Sequence, residues 1–227
     1  MKRINVNKDQ LKSLRFGTTL NRDGRNSVNG YVFRDGNNVI KINKKAKSAL
    51  LPDRRLFSYI DESKLEKYKK FSKEQEELVL SLNDCRNYLT NCLIPNALIY
   101  CDDILIGTQS EFIDGITLNL FKGYNIKICQ EYLLKTLDVL KTLEKNHILF
   151  YDPNLGNIMV SNHNITLIDL DDPRQVELNV KAKIDYQIMY YSFAKMAIDR
   201  LLGLGTTFLI TNYNATYEEC ERAIKSK

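Results

Sequence analysis

The chain has 227 residues, 44% hydrophobic and 27% charged, which suits one globular unit or two small lobes sharing an interface. A formal net charge of +5 suits an anionic ligand and is too weak to argue for nucleic acid. The five cysteines (Cys85, Cys92, Cys101, Cys129 and Cys220) form no Cys-x-x-Cys pair and there are only two histidines, which argues against zinc and for free thiols in a reducing cytosol. Residues 1–5 lack the apolar core of a signal peptide, and the run Leu201–Ile210 is too short and Gly-rich to span a bilayer.

In chain order, residues 15–43 read as three short strands, Arg15–Leu20, Gly30–Arg34 and Val39–Ile42. A polar segment, 21–29, separates the first two, and an Asp35-Gly36 turn marks a hairpin between the others. Lys41 stands in the otherwise apolar run Val39–Ile42. The basic cluster from Lys41 to Lys47, followed by Arg54 and Arg55, reads as a solvated loop. Residues 62–83 contain no Gly or Pro and read as a helix, with Pro52 before it and Asn83-Asp84 after it as breaks. Two strands follow, Ala97–Cys101 and Ile104–Phe112, joined by Asp102-Asp103, and then the connector Glu111–Leu118. Residues 126–146 form the clearest helix, with Ile126, Cys129, Leu133, Leu137 and Leu140 at three- and four-residue steps. Residues 185–202 read as a second buried helix, with Asp185 as an N-cap candidate.

Between those two helices lies the stretch Leu149–Val160, followed by Ile165–Asp171. Ile158-Met-Val160, the turn-rich Ser161-Asn-His-Asn164 and Ile165–Ile168 read as a tight hairpin. Such a hairpin brings Asn157 and Asp169 side by side at one end, with Asp152 on the loop that feeds it. Two carboxylates and a carboxamide at a strand end suit a hard cation held partly by phosphate oxygens.

Asp152, four residues, Asn157, a hairpin and then Asp169-Leu170-Asp171 resembles the catalytic and metal-binding loops of the protein-kinase-like superfamily. The family's His-Arg-Asp is here Phe150-Tyr151-Asp152. The resemblance implies an α+β, two-lobed fold: a small antiparallel-sheet N-lobe over 1–110, five-stranded with one main helix; a hinge over 111–115; and a reduced helical C-lobe over 116–227. It implies ATP and Mg²⁺ as cofactors. Asp152 would accept the proton of the attacking hydroxyl, and Asn157 and Asp169 would hold magnesium. Lys41, in a strand similar to Val-Ala-Ile-Lys, would bind the α- and β-phosphates. Glu76 would pair with Lys41, because Leu80 one turn on would share its sheet-facing side; Glu77 and Glu74 are alternatives. The phosphate-covering loop aligns on Gly30 and Val32, with Ser27 at the second Gly position, Arg25 at the first and Gly24 one place out. Backbone groups of Glu111 and Ile113 would face the base, Ser110 would guard the pocket behind it, and Met159 and Val32 would sandwich the ring, with Val39 beside Val32. Asp185 is similar to the family's helix Asp that bonds the catalytic-loop backbone.

The resemblance covers roughly residues 15–205, and the departures narrow it. Only residues 170–184 separate Asp169 from Asp185, no Ala-Pro-Glu follows, and Tyr151 replaces the Arg that would clamp an activating phosphate. This compactness is similar to minimal kinases of bacterial effectors and viruses, which act in the cytoplasm, in some cases after delivery into a host. A protein Ser/Thr acceptor is the first expectation. Asp152-Pro-Asn-Leu-Gly-Asn157 also resembles aminoglycoside and choline phosphotransferases, and a partner-binding pseudokinase is the third reading. The missing segment suggests dependence on an activating protein partner, an acidic one by charge.

Overall fold

Turn residues set the strand pairs. The computed structural model describes residues 1–20, 30–51, 61–121, 125–203 and 214–226. The chain divides into two compact units, Met1–Asp84 with Ile94–Phe112, and Cys85–Leu93 with Ile113–Lys227.

In the first unit, β3 (Gly30–Asp35) and β4 (Asn38–Asn43) pair antiparallel around Gly36, whose φ of 57° opens the two-residue turn. β5 (Ala97–Cys101) and β6 (Ile104–Glu111) are joined by Asp102 and Asp103, both in the left-handed region that Asp tolerates. With β1 (Lys2–Asn5) and β2 (Thr18–Thr19) they form one sheet in the order β1-β5-β6-β4-β3-β2. The sheet therefore has six strands, where five were expected. The added strand, β1, runs parallel to β5 and carries a single apolar residue, Ile4, so it left no alternation to read. The strand expected over 15–20 shortens to Thr18–Thr19.

Among the described residues three helices, where one main helix was expected, accompany this sheet. α1 (Lys8–Ser13) is closed by a capping box between Asn7 and Gln10. The lysine-rich stretch read as a loop continues into α2 (Lys44–Leu50), started by the Asn43 side chain accepting from the Lys45 N–H. Its Ala46, Ala49 and Leu50 are buried, and that apolar side overrides the charges. α3 (Glu62–Asp84) follows the expected bounds. Leu11, Phe33, Ile40, Ile42, Ala46 and Leu50 belong to one buried cluster with Tyr68, whose hydroxyl donates to the Leu105 carbonyl at 3.0 Å.

The second unit is built on α4 (Ile126–Lys145). Its Cys129, Leu133, Leu137, Leu140 and Leu143 are buried, while Ile126 is 45% exposed. β8 (Ile148–Phe150) pairs with β11 (Val176–Leu178), a strand the sequence reading lacked. β7 (Ile116–Thr117), β9 (Ile158–Ser161) and β10 (Asn164–Leu167) form a small sheet in the order β10-β9-β7. Asn162 and His163, both at positive φ, make the β9–β10 turn. Residues 85–93 join this unit because Leu93 and Leu167 exchange backbone bonds with Leu167 and Asn91, each 2.8 Å.

The helix expected over 185–202 is α5 (Lys183–Phe193), a π turn over Ala194–Ile198 and α6 (Asp199–Leu202). It is not buried all round: Ile184 is 61% and Ile188 42% exposed. α7 (Tyr217–Lys225), which the sequence reading did not anticipate, starts with a Thr216/Glu219 capping box and buries Cys220, Ala223 and Ile224. All five cysteines are free, and no described helix is long and apolar enough to cross a membrane. Pro52, the 21–29 segment and most of the 201–210 run lie outside the described residues.

Candidate active site

The residues of the Asp152–Asn157 loop converge through short polar bonds. β8 ends at Phe150, which is fully buried and anchors the loop by packing. Asp152 follows, half-buried, and both its carboxylate oxygens are engaged. Asn154 Nδ2 donates to Oδ1 at 2.7 Å, and Asn157 Nδ2 donates to Oδ2 at 3.1 Å and to the Asp152 carbonyl at 2.9 Å. Asn154 also starts the 3₁₀ turn Leu155–Asn157, its Oδ1 accepting from the Gly156 N–H at 2.7 Å. Asn154 is the site residue that sequence reasoning missed. Its signal was the Asp-Pro-Asn sequence, because an Asn after Pro with a small residue two places on is a common local cap.

Asn157 connects this loop to the next. Its carbonyl accepts from the Ile168 N–H at 2.9 Å, one residue before Asp169. The hairpin thus brings Asn157 and Asp169 to the same end, as its length predicts. Asp169 has φ 69°, the left-handed region that non-Gly residues rarely enter and that recurs where function constrains the backbone. Asn157 spends Nδ2 on Asp152, so Oδ1 is the atom it could offer a cation. Among the described residues no three His, Cys, Asp or Glu cluster for a metal. A cation held here would have a carboxamide oxygen and a carboxylate from the chain and would need further oxygens from a ligand.

The segment after Asp169 carries two buried carboxylates, Asp171 and Asp172, at 5% and 4% exposure. Arg174 grips Asp172 in a fork, Nε at 2.8 Å to Oδ1 with Nη2 on Oδ2, and its backbone N–H adds a third bond at 3.0 Å. That pairing pushes the Arg174 guanidinium further up, with a smaller contribution from the Asp169 charge.

In the first unit, strand register sorts the expected nucleotide-facing residues onto one side of the sheet. Val32 lies opposite Lys41, Lys41 opposite Thr108, and Val39 opposite Ser110. Their neighbours Phe33, Ile40 and Ile42 point to the other, core side. Lys41 is half-buried on its face, so simple alternation places it with Val32 and Val39 and not in bulk solvent. Thr108 and Ser110 are buried beside them. Gly107 permits the close approach of the two strands here. A Cβ on it would come 2.2 Å from the Lys41 carbonyl oxygen. Gly30 begins β3 and is buried, while Ser27, Arg25 and Gly24 lie outside the described residues.

Two of the reasons behind the expected assignments change. Glu76 is half-buried, but its carboxylate accepts from the Tyr100 hydroxyl at 2.6 Å, and Leu80, the reason for choosing it, is 42% exposed. The buried stripe of α3 instead runs Tyr68, Ser72, Gln75, Leu78, Val79 and Leu82, so Gln75 holds the inward position beside Glu76. A polar residue in that stripe is hidden from periodicity, which counts only apolar positions. The N-cap of α5 is Ala182, and Asp185 sits within the first turn, where its charge favours the positive end of the helix.

In the connector, Glu111 is exposed at the end of β6, opposite Asn38. Phe112 donates its N–H to the Asn37 carbonyl at 2.8 Å, and Arg34 stacks 3.7 Å over its ring. Ile113 is half-buried in the second unit, where Ser161 Oγ donates to the Asp114 carbonyl at 2.6 Å. Met159 on β9 is half-buried, on the face opposite Ile158 and Val160, which are buried.

No family model matches the chain, and no curated protein matches it in sequence. Solved structures do match. The kinase domain of Mycobacterium tuberculosis PknI aligns with a TM-score of 0.52 at 13% identity, covering 88% of this chain and 92% of that one. A double mutant of that domain gives 0.55 at 14%, covering 92% of each, and another gives 0.52 at 16%, covering 82% and 71%. At these identities the likeness establishes the fold: α+β, two-lobed and protein-kinase-like.

Proposed function

We propose that the chain is an ATP- and Mg²⁺-dependent phosphotransferase whose acceptor is a Ser or Thr hydroxyl of a protein. The observation that carries the reading is the joint between the two loops. Asn157 holds the Asp152 carboxylate with its side chain and meets the residue before Asp169 with its main chain, on a protein-kinase-like fold. Asp152, fixed by two carboxamides, is an acceptor-only group suited to orient a hydroxyl and take its proton as the oxygen attacks the γ-phosphorus and ADP departs. Asn157 Oδ1 and Asp169 would hold magnesium, which offsets charge on the phosphates. Lys41 would bind the α- and β-phosphates, with Val32 and Val39 on the same sheet face toward the base. Catalysis of this kind is positioning and charge stabilisation.

A small-molecule alcohol is the second acceptor class. Gly156 immediately before Asn157, and the short stretch from Asp169 to Asp185, favour it. The test is Lys41→Met and Asp152→Ala, each assayed for ATP binding by calorimetry and for ³²P transfer to generic proteins, itself or small alcohols. Lys41→Met should lose turnover by orders of magnitude, and Asp152→Ala should lose it while keeping ATP affinity. An Asp152→Ala chain that transfers phosphate normally refutes the role given to Asp152, and a wild-type chain that binds ATP but transfers nothing returns the protein to a partner-binding nucleotide module.

A further inference from the structure

We infer that Tyr151 is a positioning residue that latches the short segment after Asp169 onto the catalytic loop, ordering that segment without a phosphate or a partner protein. The inference rests on the reading of Asp152 as the group that meets the acceptor, since Tyr151 is its immediate neighbour. It also replaces the expectation that so short a segment needs an outside surface to support it.

Two sets of bonds make the latch. At the segment's start, the Asp172 carbonyl accepts from the N–H groups of Gln175 at 2.9 Å and Val176 at 3.1 Å, while the buried Asp172 carboxylate is closed by the Arg174 fork. The turn is therefore tied by its own residues on both main chain and side chain. At its end, the Tyr151 N–H donates to the Gln175 carbonyl at 2.8 Å and the Tyr151 hydroxyl donates to Glu177 Oε2 at 2.7 Å. The β8–β11 ladder continues this grip through Phe150 opposite Val176, Leu149 opposite Glu177 and Ile148 opposite Leu178. The residue before Asp152 is thus held on both its backbone and its ring.

Charge excludes a phosphate from the same place. The Tyr151 phenol is pushed up to about 12, first by its hydrogen bond to Glu177, with the Glu177 and Asp185 charges acting in the same direction. Tyr151 is therefore a neutral donor in an acidic setting, where an added dianion would meet Glu177 and Asp185. A carboxylate supplied by the chain itself occupies the role that an added phosphate would otherwise fill.

The experiment uses the full chain and its Tyr151→Phe, Glu177→Gln and double variants. Hydrogen exchange at the Gln175 and Val176 amides is measured alongside kcat and KM for Mg²⁺-dependent ATP turnover. Either single change should speed exchange at both amides and lower kcat about fivefold, the loss typical of one hydrogen bond, with KM for ATP unchanged. The double variant should be no worse than the singles, and phosphatase-treated wild type should keep its rate. A purely structural role would lower stability without the kcat-only effect. Unchanged exchange and kcat in Tyr151→Phe, or a rate lost on dephosphorylation, would overturn the latch. Asp152→Ala run in parallel separates the two readings: it should lose turnover while keeping the wild-type exchange at Gln175 and Val176. A wild-type chain with no turnover at all refutes the catalytic reading, and the exchange measurement then decides the latch alone.

Discussion

Asn154 joins the fold of the loop to its chemistry, so Asn154→Ala should move both. The substitution removes two bonds: Oδ1 from the Gly156 N–H and Nδ2 from the Asp152 carboxylate, each 2.7 Å. The first is a neutral local cap worth about 1 kcal/mol. The second is charge-assisted and worth roughly 1.5–3 kcal/mol, at the low end because the loop is half-buried. Together they predict a loss of about 2.5 kcal/mol in urea unfolding of the second unit. Asp152 would keep only Asn157 as a side-chain donor, and turnover should fall about tenfold, the equivalent of roughly 1.4 kcal/mol in the barrier. Asn154→Asp divides the two effects. It retains an acceptor for Gly156 but sets a second carboxylate against Asp152, so the cap should survive while the rate falls further than in the Ala variant. Stability within about 0.5 kcal/mol of wild type with an unchanged rate in Asn154→Ala would refute the claim that this side chain orders the loop.

Other substitutions test single features. Gly107→Ala forces a Cβ against the Lys41 carbonyl and within 3.1 Å of the Ile42 Cα, so it should cost about 1–3 kcal/mol in denaturant unfolding of the first unit and weaken ATP binding in calorimetry. Asp169→Ala should abolish Mg²⁺-dependent nucleotide binding with the fold intact by circular dichroism; Asp169→Gly should be equally inactive but about 1 kcal/mol more stable, since φ 69° suits Gly. The Tyr151 phenol is raised from 10.0 to about 12. The stability it contributes is therefore complete below pH 10 and lost as pH rises through 12. Tyrosinate absorbance, wild type minus Tyr151→Phe, should show this late titration, and Glu177→Gln should move it toward the ordinary value.

The hairpin pairing Asn157 with Asp169 was readable because its code is local: two short apolar runs and a turn sequence that accepts positive φ at Asn162 and His163. The strand that carries Lys41 was readable from its apolar run and the Asp35-Gly36 turn, but alternation left open which way Lys41 faces, and only the register against β3 and β6 puts it on the side of Val32 and Thr108. α4 was readable from its buried stripe alone. Leu80 was a poor guide to the inward side of α3, because a helix with charges on several sides does not announce which face is buried; Leu80 is exposed and Glu76 meets Tyr100.

By itself, then, the sequence determined the elements whose signal lies within about a dozen residues: the Asp152–Asn157 loop, the β9–β10 hairpin, and the helices α3 and α4. Only the tertiary structure decided what depends on distant partners. β1 is a strand because β5 offers it a parallel edge, not because Lys2–Asn5 resembles one. α2 is a helix despite its lysines because Ala46, Ala49 and Leu50 find a core. Glu76 faces Tyr100, and Tyr151 meets Glu177 across 26 positions of chain, since a side-chain hydrogen bond between distant residues leaves no period or local pattern in either segment.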